Sequence, residues 1–131
     1  FLGFKDFQQL TLIKLNFNKN KIFTKIIPCP TIREKNGIAL SSRNSKLNKD
    51  EIKIAGTIYK YLKNKKREII FNILKKKRLV TINKILLLGA TKIDYVECIN
   101  LRTLKNIRKI NENGNIFISY WIGNIRLIDN L

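Results

Sequence analysis

At Lys92 the spacing of apolar residues changes from helical to alternating, and this change constrains the fold more than any other feature of the chain. Before it, a helix is expected from about Lys49 to Lys63, with Asn48 and Glu51 placed as a capping box and Ile52, Ala55, Tyr59 and Leu62 on one face. A second helix, about Arg67 to Lys77, would turn Ile70, Ile73 and Leu74 inward and end in the run Lys75-Lys76-Lys77-Arg78, whose cations suit the C-terminal carbonyls. Thr81 is placed to cap a third helix that stops near Leu88 at Gly89. From Lys92 to Ile99 the residues alternate, Ile93, Tyr95, Glu97 and Ile99 against Asp94, Val96 and Cys98. Turn signals at Asn113-Gly114 and Gly123-Asn124 then frame strands over Asn115 to Ile122 and Ile125 to Ile128. Helices followed by a mainly antiparallel sheet make a small α+β unit.

The first thirty or so residues read differently. Gly3 to Asp6 leads into a helix over Phe7 to Leu15, with Asp6 and Gln9 spaced as a cap and Phe7, Leu10, Ile13 and Leu15 as its core candidates. Ile22 to Ile27 reads as a buried strand ended by Pro28 and Pro30. This order is what one edge of a parallel α/β sheet presents, and stiff Pro28-Cys29-Pro30 makes a natural domain boundary. Beyond it, Thr31 to Glu34, the Asn36-Gly37 turn and Ile38 to Leu40 read as a short hairpin.

Composition narrows the chemistry. The 131 residues carry 27 Lys and Arg against 9 Asp and Glu, a net charge of +18. The excess is mostly Lys and travels with abundant Ile and Asn, the residues of AT-rich codons, so it marks general polyanion affinity at low salt and no specific nucleic-acid partner. With no His, a Ser-His-Asp or Cys-His apparatus is excluded, and the two isolated cysteines, Cys29 and Cys98, offer no metal spacing. No run of about 18 uncharged apolar residues is present, so no membrane span is expected. With no secretory signal visible, a cytoplasmic protein is expected. A chain that starts at Phe1 and contains no Met reads as a piece of a longer product.

Two stretches carry site-like chemistry. Gly37 to Asn44, G-I-A-L-S-S-R-N, places small residues, hydroxyls and a guanidinium in a loop, and such groups bind phosphate oxygens. Gly3 to Gln9 sets Lys5, Asp6 and Gln9 at a helix N-terminus, where unpaired N–H groups also favour anions.

Taken together, G-F-K-D-F-Q-Q-L at Gly3 to Leu10, P-T-I-R-E-K-N-G-I-A-L-S-S-R-N at Pro30 to Asn44, and R-L-I-D-N at Arg126 to Asn130 resemble the pantothenate synthetase family, along its C-terminal half. The resemblance implies the α/β edge of a Rossmann-like nucleotidyltransferase domain (residues 1–31) followed by a small α+β lid domain (residues 32–131). It implies an ATP-dependent, AMP-forming carboxylate–amine ligase that joins pantoate to β-alanine through a pantoyl adenylate, with Mg²⁺ accompanying ATP, and a homodimer for the full-length enzyme. Gly3 would let the nucleotide approach the backbone, with Phe4 in the same ATP-binding stretch. Lys5 would contact phosphate, Asp6 the ribose region, Gln9 pantoate, and Ile32 the adenine ring. Leu40, Ser41, Ser42 and Arg43 would clasp the phosphates, and Lys5, Ser41 and Arg43 would carry catalysis as pyrophosphate leaves.

Departures from the family pattern are Leu2 in place of Phe, Phe4 at a commonly polar position, and Cys98-Ile99-Asn100 after Glu97. The family's His-x-Gly-His segment and a pantoate-binding Gln lie upstream of Phe1, so the fragment alone would be inactive. The alternative, a basic RNA-binding or ribosome-associated module, requires cations gathered beside stacking aromatics such as Tyr120 and Trp121.

Overall fold

The computed structural model describes residues 1–110 and 112–131. Its centre is an antiparallel sheet of β3 (Lys92–Asn100), β4 (Gly114–Ile122) and β5 (Ile125–Asn130), in that spatial order. The alternation seen from Lys92 onward is the register of this sheet. Val96 pairs with Ile118 and Cys98 with Ile116, and all of them are fully buried. A register shift between Ile93 and Tyr95 turns Asp94 onto the opposite face. There its carboxylate accepts hydrogen bonds from Arg126 Nε at 2.7 Å, Ser119 Oγ at 2.9 Å and Trp121 Nε1 at 3.0 Å.

One face of the sheet is covered by α2 (Lys49–Asn64), α3 (Lys66–Leu74) and α4 (Arg78–Leu87). The expected capping box of α2 is formed: Asn48 Oδ1 accepts from the Asp50 and Glu51 amides, and Glu51 Oε2 accepts from the Asn48 amide. Ala55, Ile58 and Leu62 bury against the sheet, while Tyr59 is only half-buried and faces elsewhere. Gly89 ends the helical region at φ +112°, and a Cβ there would press on Ile54.

Several expectations shift. The helix expected to reach Lys77 stops at Leu74 because Lys76 takes a left-handed conformation (φ +58°). The cationic run is therefore divided between the end of α3 and the start of α4. Since α4 begins at Arg78, Thr81 is not a cap but a buried residue of its first turns.

The other face of the sheet receives α1 (Phe7–Lys19), whose Phe7 and Leu10 pack on Phe117 with Tyr95 and Ile99 alongside. This helix outruns its expected end, and its buried face is narrower than expected: Leu15 is 55% exposed. Asp6 makes no side-chain cap, because α1 continues directly from a 3-10 turn over Phe4–Asp6. The strand expected at Ile22 to Ile27 does not form. Pairing falls instead on β2 (Pro28–Cys29), parallel to β1 (Leu2–Gly3), the segment read as a boundary. In the parallel register of β1 and β2, residues 22–27 have no partner strand among the described residues, and Phe23 is 97% exposed.

Two measurements probe this packing. Ile58→Ala, at a fully buried position, is expected to destabilise the fold by about 2–5 kcal/mol in urea titration. The Asp94 carboxyl is held down to about 2 from its usual 3.8, first by the hydrogen bond from Arg126 and next by that from Trp121. A depressed carboxyl pKa contributes stability that is present above the unfolded value and is lost as pH falls through the folded one. Asp94→Asn is thus less stable than the parent chain at neutral pH, and the gap closes between pH 3.8 and about 2 in thermal melts.

Candidate functional site

The segment 32–40 folds into a miniature hairpin. Glu34 N donates to Ile38 O and Leu40 N to Ile32 O, both at 2.9 Å, around a bridge between Arg33 and Ala39. Gly37 makes the turn at φ +93°, and a Cβ there would overlap the Tyr59 ring, so both backbone and packing require glycine. After Leu40 the chain enters a 3-10 turn over Ser42–Lys46, capped by Ser41, whose Oγ accepts from Arg43 N at 3.2 Å.

Arg33 fastens this hairpin to the sheet. Its guanidinium grips Asp129 of β5 with two bonds, 2.7 and 2.9 Å, and also donates to Gly37 O and Asn130 O. It stacks 4.5 Å above the centre of the Tyr59 ring. Burial alone works against its charge, but the bonds and charge of Asp129 outweigh burial and raise its pKa. The next residue of β5 holds the other side of the site. Asn130 Nδ2 donates to Phe4 O at 3.0 Å and to Lys5 O at 2.9 Å, which fixes the turn that carries Lys5.

These tethers bring Lys5, Ser41 and Arg43 to one cleft, with Asn44, Tyr59 and Asp129 in its walls. Lys5 Nζ reaches across and donates to Leu40 O at 3.1 Å. Its pKa lies below the usual 10.5, chiefly through burial; Asp6 and Asp129 oppose that shift, and the Arg43 and Arg33 cations add to it. Lys5 is also a wall of an adjoining hollow that contains Asp6, Gln9, Tyr95 and Ile128. One ammonium thus stands between a cationic cleft and a pocket bearing an amide and a carboxylate.

The expected site residues sort by position. Lys5, Ser41 and Arg43 meet in the first cleft, and Asp6 and Gln9 join Lys5 in the second. Leu40 contributes a carbonyl, whereas Ser42 is exposed and its carbonyl accepts from Ser45 Oγ. Phe4 packs on Phe7 with ring centres 5.0 Å apart. Gly3 has open space around it, with nothing inside 4 Å of the place a Cβ would take. Ile32 is 70% exposed and lines neither hollow. Arg33, Tyr59, Asn44 and Asp129 went unassigned from sequence, because what they do depends on partners that only the fold brings near.

The features an RNA-binding module would need are not free. Tyr120 is buried, and Trp121 is bonded to Asp94 with Lys92 Nζ 5.7 Å from its ring centre. Burial pushes the Cys98 thiol up to about 11, with the Lys66 and Arg78 cations opposing, so it is no nucleophile. Among the described residues no helix is long and apolar enough to cross a membrane.

Comparison with known proteins shows what the chain is similar to. The chain is 41% identical over 134 residues to the pantothenate synthetase of Azobacteroides pseudotrichonymphae, covering 100% of this chain and 48% of that protein. Among solved structures, pantothenate synthetase from Thermus thermophilus superposes with a TM-score of 0.81 at 27% identity, covering 99% of this chain and 48% of that one. The pantoate-beta-alanine ligase of Francisella tularensis, solved with beta-gamma ATP and beta-alanine, matches at TM-score 0.70 and 40% identity, over 99% of this chain and 41% of that one. The chain spans about half the length of the curated relatives it matches. The fold is that of the solved pantothenate synthetases it superposes on, an α/β edge followed by a small α+β lid. The family model for pantoate-beta-alanine ligase matches residues 1–131, and the chain belongs to that family.

The depressed Lys5 pKa gives the cleft a pH signature. A lysine attracts an anion only while protonated, so any binding of inorganic pyrophosphate through Lys5 is expected to weaken as pH rises toward 10.5, with the fall setting in below that value. Calorimetric titration across this range should show the loss in the parent chain and a flatter profile in Lys5→Met.

Proposed function

We propose that this chain is the C-terminal half of a pantothenate synthetase. Residues 1–31 would close its nucleotide-binding domain and residues 32–131 would form the lid. The observation that carries the reading is the place of Lys5 between the two hollows, shared with Arg43 on one side and Gln9 on the other. ATP phosphates would lie along the cationic rim of the first hollow and pantoate in the second, which would set the pantoate carboxylate beside the α-phosphate it attacks.

As the α-phosphate transfers to pantoate, charge builds on the departing pyrophosphate, and Lys5 and Arg43 are the cations placed to offset it. Ser41 Oγ already accepts from the Arg43 amide, which leaves its own O–H free to donate to a phosphate oxygen. Asp6 would lie near the ribose and Gln9 would hold pantoate through its amide. Open space at Gly3 suits close approach of the nucleotide to the backbone. Mg²⁺ would enter with the triphosphate as part of the substrate. The β-alanine amine then attacks the acyl adenylate, forming the amide and releasing AMP. The exposed apolar residues Phe1, Leu12, Leu15 and Phe23 lie on the segment that the other half of such an enzyme would cover. On this reading the chain alone does not turn over, and the complete enzyme is a cytoplasmic homodimer.

Arg43→Ala in the complete enzyme is expected to slow pantoate-dependent ATP–pyrophosphate exchange roughly 10²-fold or more. An unchanged exchange rate removes Arg43 from the proposed role.

A further inference from the structure

Asn44 closes the Ser41–Arg43 turn yet touches no solvent of consequence, being only 8% exposed. Its Nδ2 donates to Glu34 Oε1 at 2.6 Å and to Ala39 O at 3.2 Å, while Oδ1 has no partner among the described residues. Rotating the amide by half a turn would face its oxygen to a carboxylate and a carbonyl, so the chemistry of the neighbours dictates the orientation. The side chain therefore works as a double donor. Both bonds run back to the hairpin that Arg33 fastens to β5, and through Glu34 they make a charge-assisted link between hairpin and turn.

Glu34 is out of place on electrostatic grounds. A carboxylate close to a cleft built for an anion should weaken anion binding by simple repulsion. We propose that Glu34 and Asn44 are positioning residues that hold the Ser41–Arg43 turn in its anion-binding geometry, and that this restraint outweighs the repulsion. The proposal rests on the phosphate reading of the cleft. Glu34 acts through Asn44, and Asn44 through the backbone of the turn, whose Arg43 amide bonds Ser41 Oγ and whose Asn44 amide bonds Ser41 O.

The test uses two variants of the 131-residue chain that both remove the charge. Glu34→Gln keeps an acceptor for Asn44 Nδ2; Glu34→Leu removes it. Inorganic pyrophosphate binding is measured by calorimetry, and amide hydrogen exchange is followed at residues 42–46, with β3–β5 as the control for folding. Glu34→Gln should bind pyrophosphate as tightly as the parent chain or more tightly. Glu34→Leu should bind at least about 10-fold more weakly, with exchange at residues 42–46 faster by a similar factor and the sheet amides unchanged. Equal or tighter binding by both variants overturns the proposal, because charge alone would then govern the site. Unaltered exchange in Glu34→Leu overturns it as well. If the parent chain binds no pyrophosphate, the phosphate reading fails and takes the purpose of the restraint with it. The exchange comparison then shows whether the link between hairpin and turn is itself real.

Discussion

The site depends on the end of β5. Asp129 grips Arg33 across 96 positions of sequence, and the adjacent Asn130 holds the carbonyls of Phe4 and Lys5 from still farther away. Successive residues of a strand point to opposite faces, so one dipeptide can tie two remote segments on different sides of the sheet. The Arg33–Asp129 pair is largely shielded from water and bidentate, and the guanidinium is also backed by the Tyr59 ring, so its geometry is fixed on several sides. Buried Ile38 and Phe7 seat the hairpin and the Lys5 turn on the sheet, and these tethers fix how the two face each other. With them, the two segments face each other across a cleft bridged by Lys5 Nζ and Leu40 O.

Around that junction the fold follows ordinary rules. The sheet is buried on both faces, by α2–α4 on one and by Phe7 and Leu10 of α1 on the other. Packing on both faces explains why the alternating residues of β3 are not cleanly divided into inside and outside: Ile93, Tyr95 and Ile99 are all partly covered. The bulge at Asp94 uses the less crowded face for an ion-paired network with Arg126, Ser119 and Trp121.

What could be read from the residues was mostly local. The α2 capping box, the Gly89 stop, the hairpin at Asn36-Gly37 and the three central strands rest on signals within a few positions of each other, and each is present. The errors arose where a neighbour was needed. Ile22 to Ile27 has the composition of a strand but no partner strand among the described residues, and Thr81 could act as a cap only if α4 began a turn later. The meeting of Lys5 with Ser41 and Arg43 was legible because motif blocks carried it. The roles of Arg33, Asn44 and Asp129 were not, although each lies inside a quoted block, because a bond across the fold leaves no spacing in the chain. Ile32 illustrates the opposite case, a residue singled out by resemblance whose side chain lines neither hollow.

The ammonium of Lys5 already has an acceptor, the carbonyl of Leu40. On the proposed reading, an incoming phosphate oxygen would compete with this internal partner as well as with water, since the bond is exposed. Such a swap would make recognition less sensitive to the strength of any single contact and more sensitive to charge, since an oxygen of an anionic phosphate competes for an ammonium better than a hydroxyl or an amide does. A polar but uncharged molecule of the same size would leave the bridge from Lys5 to Leu40 intact.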